Sequence, residues 1–208
     1  MLPSCETSPR WNLAPLNSQT LPLTASLAGA NTNGKKIDPM SRTPSDTWPP
    51  NSKGYFAIGA ERMSKSLNLG NLMRSAHGFG ASFTFTVGTN YQALEAHADT
   101  SKGQLHLPHY NWTSLDDMTL PQGCKLVGIE LIEDAIDLPS FRHPLRAAYV
   151  LGPEMGSLSK PLIERCDYIV KIPTSFCVNV AIAGAIVMYD RVRSLARFAD
   201  RPIREGGP

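Results

Sequence analysis

Asn68-Leu-Gly-Asn-Leu-Met-Arg74 is a polar, glycine-containing segment that lies shortly after an apolar run at residues 55–59. The apolar run has the length and the terminal glycine of a buried strand, and residues 67–78 carry apolar side chains at helical spacing. This part of the chain therefore predicts a strand, a polar loop and a helix in close succession. By itself the segment has two interpretations: Asn68 and Arg74 are a helix cap and a solvated cation, or both belong to a site.

The same alternation of strands and helices continues along the chain. Further strands are expected in four apolar or β-branched runs, at residues 82–87, 125–130, 147–151 and 168–172. Further helices are expected at residues 158–166 and 178–198, and residues 89–121 are expected to form a polar loop. Continuous apolar strands that alternate with helices are typical of parallel sheets covered on both faces. We therefore expect an α/β fold with a mostly parallel sheet and helices on both faces.

The chain divides by composition into three parts. Its 208 residues include 42% hydrophobic and 18% charged side chains, which is the composition of a globular protein. Residues 1–52 are rich in Pro, Ser, Thr and Asn. We expect them to form a disordered extension, because such a segment buries too little apolar surface to offset its ordering entropy. Residues 53–200 are expected to form one domain, followed by a flexible tail at 201–208.

Cysteine usage and hydropathy exclude several classes of protein. The cysteines are Cys5, Cys124, Cys166 and Cys177, with no Cys-x-x-Cys pair and no accompanying histidine cluster. We therefore expect no metal site, and reduced thiols in a cytoplasmic protein. No apolar run reaches the ~18–20 residues of a membrane span. The net charge of +2 is compatible with a nucleic-acid partner without requiring one.

Three loops at expected strand ends carry the candidate functional residues. Ligands of parallel sheets bind at the carboxyl ends of strands, where glycine lets the backbone come close. The first loop leads to Asn68, the second reads Leu151-Gly-Pro-Glu-Met-Gly156, and the third reads Ile172-Pro-Thr-Ser-Phe-Cys-Val-Asn179. None has the Gly-x-Gly-x-x-Gly or Walker pattern, which disfavours an NAD or ATP enzyme. Individually, the second and third loops are also compatible with a simple turn and a helix cap.

Taken together and in this order, the three segments resemble the motifs of the SpoU/TrmH-type RNA 2′-O-ribose methyltransferases of the SPOUT superfamily. The resemblance covers residues 54 to about 198, and the chain is similar to the small single-domain members. Two positions depart from the family pattern: Met155 stands where glycine or a polar residue is frequent, and Cys177 replaces the usual serine. Cysteine is close to serine in size but is a weaker hydrogen-bond donor.

The resemblance implies a fold, a cofactor and an assembly. The sheet would end in a C-terminal trefoil knot, the cofactor would be S-adenosyl-L-methionine, and the enzyme would be a homodimer that acts on RNA, either tRNA or rRNA. The cofactor-binding residues implied are Ile129, Gly152, Glu154, Gly156, Ile172, Cys177 and Val178. The catalytic residues implied are Arg74, Asn68, Glu154 and Asn179.

The resemblance also implies a role for each catalytic residue. Arg74 would contact the ribose 2′-hydroxyl or an adjacent phosphate and assist loss of the proton, and Asn68 would orient the ribose. Glu154 and Asn179 would hold this arrangement by hydrogen bonds to Arg74 or to the backbone. Because arginine is fully charged at neutral pH, positioning and charge stabilisation are physically easier for Arg74 than acting as a free base.

The sequence leaves other functions open. An enzyme of the same fold can methylate a base nitrogen, and the changes at Met155 and Cys177 are also compatible with a catalytically weak RNA-binding or assembly factor. The basic residues near the C-terminus are expected to form a solvated face or to touch RNA phosphates; they are Arg191, Arg193, Arg197, Arg201 and Arg204. The last helix has a face of small residues suited to close packing in an interface, a knot or an ordinary core: Ala181, Ala183, Gly184 and Ala185.

Overall fold

The structure, a computed structural model, describes residues 54–90, 107–196, 198 and 206. The strands are β1 (Tyr55–Glu61), β2 (Phe83–Val87), β3 (His109–Trp112), β4 (Lys125–Ile129), β5 (Ile136–Asp137), β6 (Arg146–Leu151) and β7 (Tyr168–Lys171). The helices are α1 (Ser66–Gly78), α2 (Lys160–Arg165), α3 (Val180–Leu195) and a 3₁₀ turn at Leu138–Ser140. The predicted extension at 1–52 lies outside the described residues, as do all but one of the residues of the predicted tail.

All seven strands join one sheet in the order β3-β2-β1-β6-β4-β7-β5, and every neighbouring pair is parallel. The predicted parallel sheet is therefore confirmed. The strand order brings β1, β6, β4 and β7 together in the centre. Because parallel strands end at the same edge, the loops that follow these four strands lie side by side. The trefoil knot is not tested by this strand order and stays a prediction.

Helices cover both faces of the sheet, as expected. On one face α1 and α3 enclose a hydrophobic core with Ile58 and Tyr149. On the other face Leu162 of α2 packs into a second core with Phe85. Close contact between α1 and α3 depends on Gly184, since a Cβ atom there would lie 2.4 Å from a methyl group of Leu72. The small-residue face of the last helix therefore belongs, at Gly184, to the core contact with α1.

The segment expected to be a loop at residues 89–121 contains β3, so that expectation is wrong for four residues. β3 pairs along its whole length with β2 at the edge of the sheet. Tyr110 and Trp112 stack on one side with ring centroids 6.0 Å apart. On the other side His109 is hydrogen-bonded to two threonine hydroxyls of β2, at 2.9 and 3.2 Å. A segment of four polar and aromatic residues is too short to show the alternating pattern of a strand. Pairing with β2 is what makes this segment a strand.

The two later helices begin inside their predicted bounds because polar side chains cap them. The Asn179 side-chain oxygen accepts a hydrogen bond from the Ala181 N–H at 2.9 Å, and α3 begins at Val180. The Ser159 hydroxyl accepts a backbone N–H of α2, which begins at Lys160. Such caps satisfy N–H groups that have no partner within the helix. Among the described residues no helix is long and apolar enough to cross a membrane.

Arg191 differs from the other basic residues near the C-terminus because it is only 3% exposed. Its guanidinium donates to the carbonyls of Pro144, Leu145 and Tyr55 at 2.6, 2.9 and 3.1 Å, and to the Tyr149 hydroxyl at 3.1 Å. Its place on α3, two turns after the buried glycine, puts it on the core-facing side. The expectation that Arg191 is solvated or touches RNA is therefore wrong. Arg193 is exposed; outside the described residues lie Arg197, Arg201 and Arg204.

Candidate functional site

A cavity of about 320 Å³ opens at the carboxyl ends of the four central strands. Its wall is formed by the loops after β1, β4, β6 and β7 and by the first turn of α3. The cavity brings together the predicted cofactor-binding residues Ile129, Gly152, Glu154, Gly156, Ile172, Cys177 and Val178. The predicted catalytic residues Asn68, Glu154 and Asn179 also line it. The three sequence segments, distant along the chain, thus meet around one space.

The loop after β6 comes close to its neighbours because of its glycines. A Cβ atom at Gly152 would lie 3.2 Å from the backbone nitrogen of Leu158, which is tighter than an ordinary contact. Gly156 has a φ of +104°, a conformation that disfavours residues with a side chain. Both glycines therefore shape a loop that folds back on itself and exposes its backbone to the cavity.

Glu154 fastens this loop to the loop between β1 and α1. One carboxylate oxygen accepts hydrogen bonds from the Ser64 backbone and hydroxyl at 3.0 and 2.9 Å. The other accepts from the Lys65 backbone at 2.9 Å and from the Asn68 amide at 3.1 Å. Partial burial on its own raises the pKa of Glu154. The hydrogen bonds outweigh this effect and hold the pKa below its usual range, and the bond from the Ser64 backbone N–H contributes most to the lowering. The carboxylate is therefore ionised at neutral pH.

Asn68 and Asn179 extend the hydrogen bonds from Glu154 to the third loop. The Asn179 amide nitrogen donates to the side-chain oxygen of Asn68 at 3.0 Å, while its own oxygen caps α3. Asn68 is buried, and its amide nitrogen donates a hydrogen bond to Glu154. We call this chain of hydrogen bonds the Glu154-Asn68-Asn179 network. It fixes the rotamers of three polar side chains on the cavity wall.

Arg74 stands apart from this network. It lies six residues after Asn68 on α1, a rise of about 9 Å along the helix. Its side chain is exposed and does not line the cavity. Glu154 and Asn179 were expected to form hydrogen bonds with Arg74 or with the backbone, and of these two partners the backbone is the one observed. Within the described part of the chain, the Arg74 guanidinium has no hydrogen bond or salt bridge.

Acidic residues at the ends of β1 and β4 brace the loop after β6, and they are not among the predicted site residues. Glu61 is buried and accepts hydrogen bonds from the backbone and hydroxyl of Ser159. Glu130 accepts the Leu158 N–H at 2.7 Å and lines the cavity. The available signal was a carboxylate at the carboxyl end of each buried strand, at the edge where ligands bind.

Arg62 also supports this loop, and it does so with an unusual backbone. Its φ of +50° lies in the left-handed region, which is uncommon for a residue other than glycine. The backbone N–H donates to Val87 at 2.8 Å and the guanidinium donates to the Ser157 carbonyl at 3.0 Å. These contacts hold the turn after β1 between β2 and the loop after β6. No group of three or more His, Cys, Asp or Glu among the described residues is placed to hold a metal ion.

A parallel sheet with a glycine-lined cavity at the ends of its central strands defines a ligand-binding α/β protein. Residues 55–189, more than half of the chain, match the family model described as the SpoU rRNA Methylase family. The chain therefore belongs to the SpoU rRNA Methylase family, as its three motifs predict.

Two curated proteins illustrate the similarity in sequence. The mouse tRNA (guanosine(18)-2′-O)-methyltransferase TARBP1 is 26% identical over 150 residues, which cover 65% of this chain and 9% of that protein. An uncharacterised tRNA/rRNA methyltransferase of Archaeoglobus fulgidus is 28% identical over 144 residues, which cover 65% of this chain and 63% of that protein. The chain thus spans less than two thirds of the length of these relatives.

Solved structures show the same fold. The SpoU methyltransferase AviRb from Streptomyces viridochromogenes, in complex with the cofactor AdoMet, superposes with a TM-score of 0.61 at 22% identity, over 72% of this chain and 62% of that one. An rRNA methyltransferase from Sinorhizobium meliloti superposes with a TM-score of 0.62 at 20% identity, over 70% of this chain and 58% of that one. At this identity the likeness concerns the fold.

Proposed function

We propose that this protein transfers a methyl group from S-adenosyl-L-methionine to a ribose 2′-hydroxyl of tRNA or rRNA. The observation that carries the proposal is the Glu154-Asn68-Asn179 network on the wall of a glycine-lined cavity, in a chain of the SpoU family. AviRb, which shares the fold, is described in complex with AdoMet, and mouse TARBP1 is named as a 2′-O-methyltransferase. The proposed location is the cytoplasm.

The cavity suits a nucleoside-sized ligand with polar ends. Its volume of about 320 Å³ falls at the lower end of the range for small-molecule sites. Ile129, Leu151 and Val178 provide apolar surface, and the backbone at Gly152, which lines the cavity, provides hydrogen-bonding groups. When bound, S-adenosyl-L-methionine supplies a methyl group activated by a positively charged sulfur, and the protein supplies position and electrostatics.

The residues around the cavity have separable tasks in this reaction. Asn68, held by Glu154 and Asn179, presents a fixed side chain that can orient the ribose. Arg74 stabilises negative charge that develops on the 2′-oxygen as its proton passes to solvent water, or holds the adjacent phosphate. Since arginine as a residue type supplies a permanent cation and not a base, Arg74 acts by position and charge. Fixed geometry of this kind lowers the entropy cost of aligning a poor nucleophile with the methyl group.

Replacing Arg74 tests the reaction directly. Purified wild type, Arg74→Ala and Arg142→Ala are incubated with labelled S-adenosyl-L-methionine and total tRNA or rRNA. Arg142 is a matched exposed arginine that does not line the cavity. We expect Arg74→Ala to lose transfer by about 100-fold or more while cofactor binding is retained, and Arg142→Ala to remain active. Equal transfer by wild type and Arg74→Ala would remove Arg74 from the mechanism.

Two other functions remain alternatives within this family. A base methyltransferase would leave a methylated base after nucleoside digestion of the product RNA, whereas the proposed enzyme leaves a methylated ribose. A catalytically weak RNA-binding or assembly factor is favoured by one observation, that the exposed thiol of Cys177 lines the cavity where the family has a serine. Failure of the purified protein to bind S-adenosyl-L-methionine would support that factor.

A second copy of the chain is the proposed partner of an apolar stripe on α3. Ile182 and Tyr189 are 55% and 57% exposed, and Ala185 and Ile186 between them are half-buried. These four residues share one side of the helix at intervals of three and four. We expect light scattering to give a dimer mass for the wild type and a monomer mass for Ile182→Lys with Tyr189→Lys. A monomer mass for the wild type contradicts the homodimer.

A further inference from the structure

The cavity wall carries more negative than positive charge. Its ionisable lining residues include two carboxylates, Glu130 and Glu154, and one ammonium group, Lys65. Glu154 accepts four hydrogen bonds from the loop before α1 and from Asn68, so its two oxygens are largely occupied. Glu130 lies on a different side of the cavity, after β4. The two carboxylates therefore have different surroundings and need not have the same task.

Glu130 is held rigidly against the glycine loop. Its backbone N–H continues the ladder to β7 by donating to the Val170 carbonyl at 3.0 Å. One carboxylate oxygen accepts the Leu158 N–H at 2.7 Å, and the other accepts the Leu131 N–H at 3.1 Å. The first oxygen would be 3.5 Å from a Cβ atom at Gly152. The negative charge thus has a fixed position beside the cavity.

The charge of Glu130 has no neutralising salt-bridge partner within the described part of the chain. Within the described residues, no lysine, arginine or histidine forms a salt bridge with Glu130. By contrast, Glu61 forms a salt bridge with Arg62, and Asp167 forms one with Lys125. The hydrogen bonds that Glu130 receives come from neutral backbone groups. Its charge therefore acts on whatever occupies the cavity, at short range and partly shielded from water.

We propose that Glu130 is the group by which the cavity distinguishes the cationic methyl donor from its neutral product. This inference rests on the proposed function. S-Adenosyl-L-methionine carries a permanent positive charge on sulfur, and S-adenosyl-L-homocysteine has the same skeleton with an uncharged thioether. A fixed carboxylate with no salt bridge among the described residues stabilises the first and has no such attraction for the second. The consequence is a smaller preference for the product, which eases its replacement by fresh donor.

The ratio of the two affinities separates this role from a structural one. If Glu130 only braces Leu158, or only accepts hydrogen bonds from the hydroxyls common to both ligands, a substitution lowers the affinity for both ligands equally. If its charge acts on the sulfur, the substitution lowers the affinity for the donor more than the affinity for the product. Glu130→Gln is suitable because glutamine keeps an oxygen to accept the Leu158 N–H.

Calorimetric titration of the full chain with each ligand gives the test. For Glu130→Gln we expect the ratio of donor to product affinity to fall by about three- to tenfold, the order of magnitude for one charge acting in a partly hydrated site. Glu164→Gln removes an exposed carboxylate on α2 and should leave the ratio unchanged. Comparison of Glu130→Asp with Glu130→Asn, which differ in charge at equal size, should give the same direction.

The outcomes are distinct. An unchanged ratio in Glu130→Gln and an equal ratio in the Asp and Asn variants would overturn the inference, whatever happens to the individual affinities. If the Gln variant does not fold, the comparison of Asp with Asn decides alone. Absence of S-adenosyl-L-methionine binding by the wild type would instead contradict the proposed function, so the two failures are distinguishable.

Discussion

Replacing Glu154 with glutamine exchanges one of two acceptor oxygens for an amide group that donates. In the wild type one oxygen accepts from the backbone and hydroxyl of Ser64, and the other from Lys65 and Asn68. Glutamine does best with its oxygen near Lys65 and Asn68, because the Ser64 hydroxyl can rotate and accept from the new amide. One donor, the Ser64 backbone N–H, then has no partner in the loop after β6.

The cost of that substitution follows from the type of hydrogen bond and its exposure. Loss of an acceptor leaves a desolvated donor at about 1–3 kcal/mol, and a neutral amide also accepts less strongly than a carboxylate. Ser64 is exposed, so water can replace part of the lost bond. We therefore expect the free energy of unfolding to fall by about 1–2 kcal/mol at neutral pH.

The difference between wild type and Glu154→Gln depends on pH in a defined direction. Burial raises the pKa of Glu154 but is outweighed by the hydrogen bonds, led by that of the Ser64 backbone, so the folded pKa is below the unfolded one. Such a carboxyl stabilises the fold above its unfolded pKa of about 4.3, and this contribution is lost as pH falls through the folded pKa. The difference should be complete above about pH 5 and shrink below about pH 4.

Urea unfolding at a neutral and an acidic pH measures this difference. Glu164→Gln is the control, since it removes an exposed carboxylate that makes no contact with the cavity. Methyl transfer should also fall in Glu154→Gln, because Asn68 loses a fixed partner. Equal stability of wild type and variant at neutral pH, or a difference that is as large in acid, would refute the role given to these hydrogen bonds.

Three further predictions concern the packing that supports the site. Gly184→Val should cost about 1–3 kcal/mol by overpacking against α1, whereas Gly78→Ala, where a Cβ atom meets nothing within 4 Å, should be neutral or slightly stabilising in thermal melting. Arg191→Met should lower the free energy of unfolding by about 3 kcal/mol because its buried carbonyl partners lose their donor, while Arg193→Ala should leave stability unchanged. Burial lowers the pKa of His109 to about 4; the folded pKa is depressed, so stability should fall as pH drops from about 6.5 toward 4, and His109→Gln should flatten that dependence in urea titrations.

The parallel sheet and its three functional loops were predictable because they depend on local chemistry. Apolar runs of strand length, helical spacing and glycine after a strand are visible over a few residues. The resemblance to the family implied Gly152, Ile172 and Cys177 as cavity-lining positions, and the first two lie directly at the end of such a run. The order of the three loops along the chain then matched the order of the family's motifs.

Features that depend on partners distant in sequence were not predictable in the same way. β3 is a strand because β2 pairs with it, and its own four residues carry too little signal. Arg191 was interpreted as a solvated or RNA-binding residue because charge is usually exposed, yet four hydrogen bonds hold it in the core. Glu130 had no motif, and only the position of Leu158 gives its carboxylate a place in the cavity wall.

For this protein the sequence by itself determined the class of fold, the loops that face a ligand and the family to which the chain belongs. Only the tertiary structure decided which side chains hold one another. Glu154 meets Asn68 across 86 positions, and Asn68 meets Asn179 across 111. Local propensity cannot encode such contacts, because they form only when the sheet order places β1, β6 and β7 close enough for their loops to share hydrogen bonds.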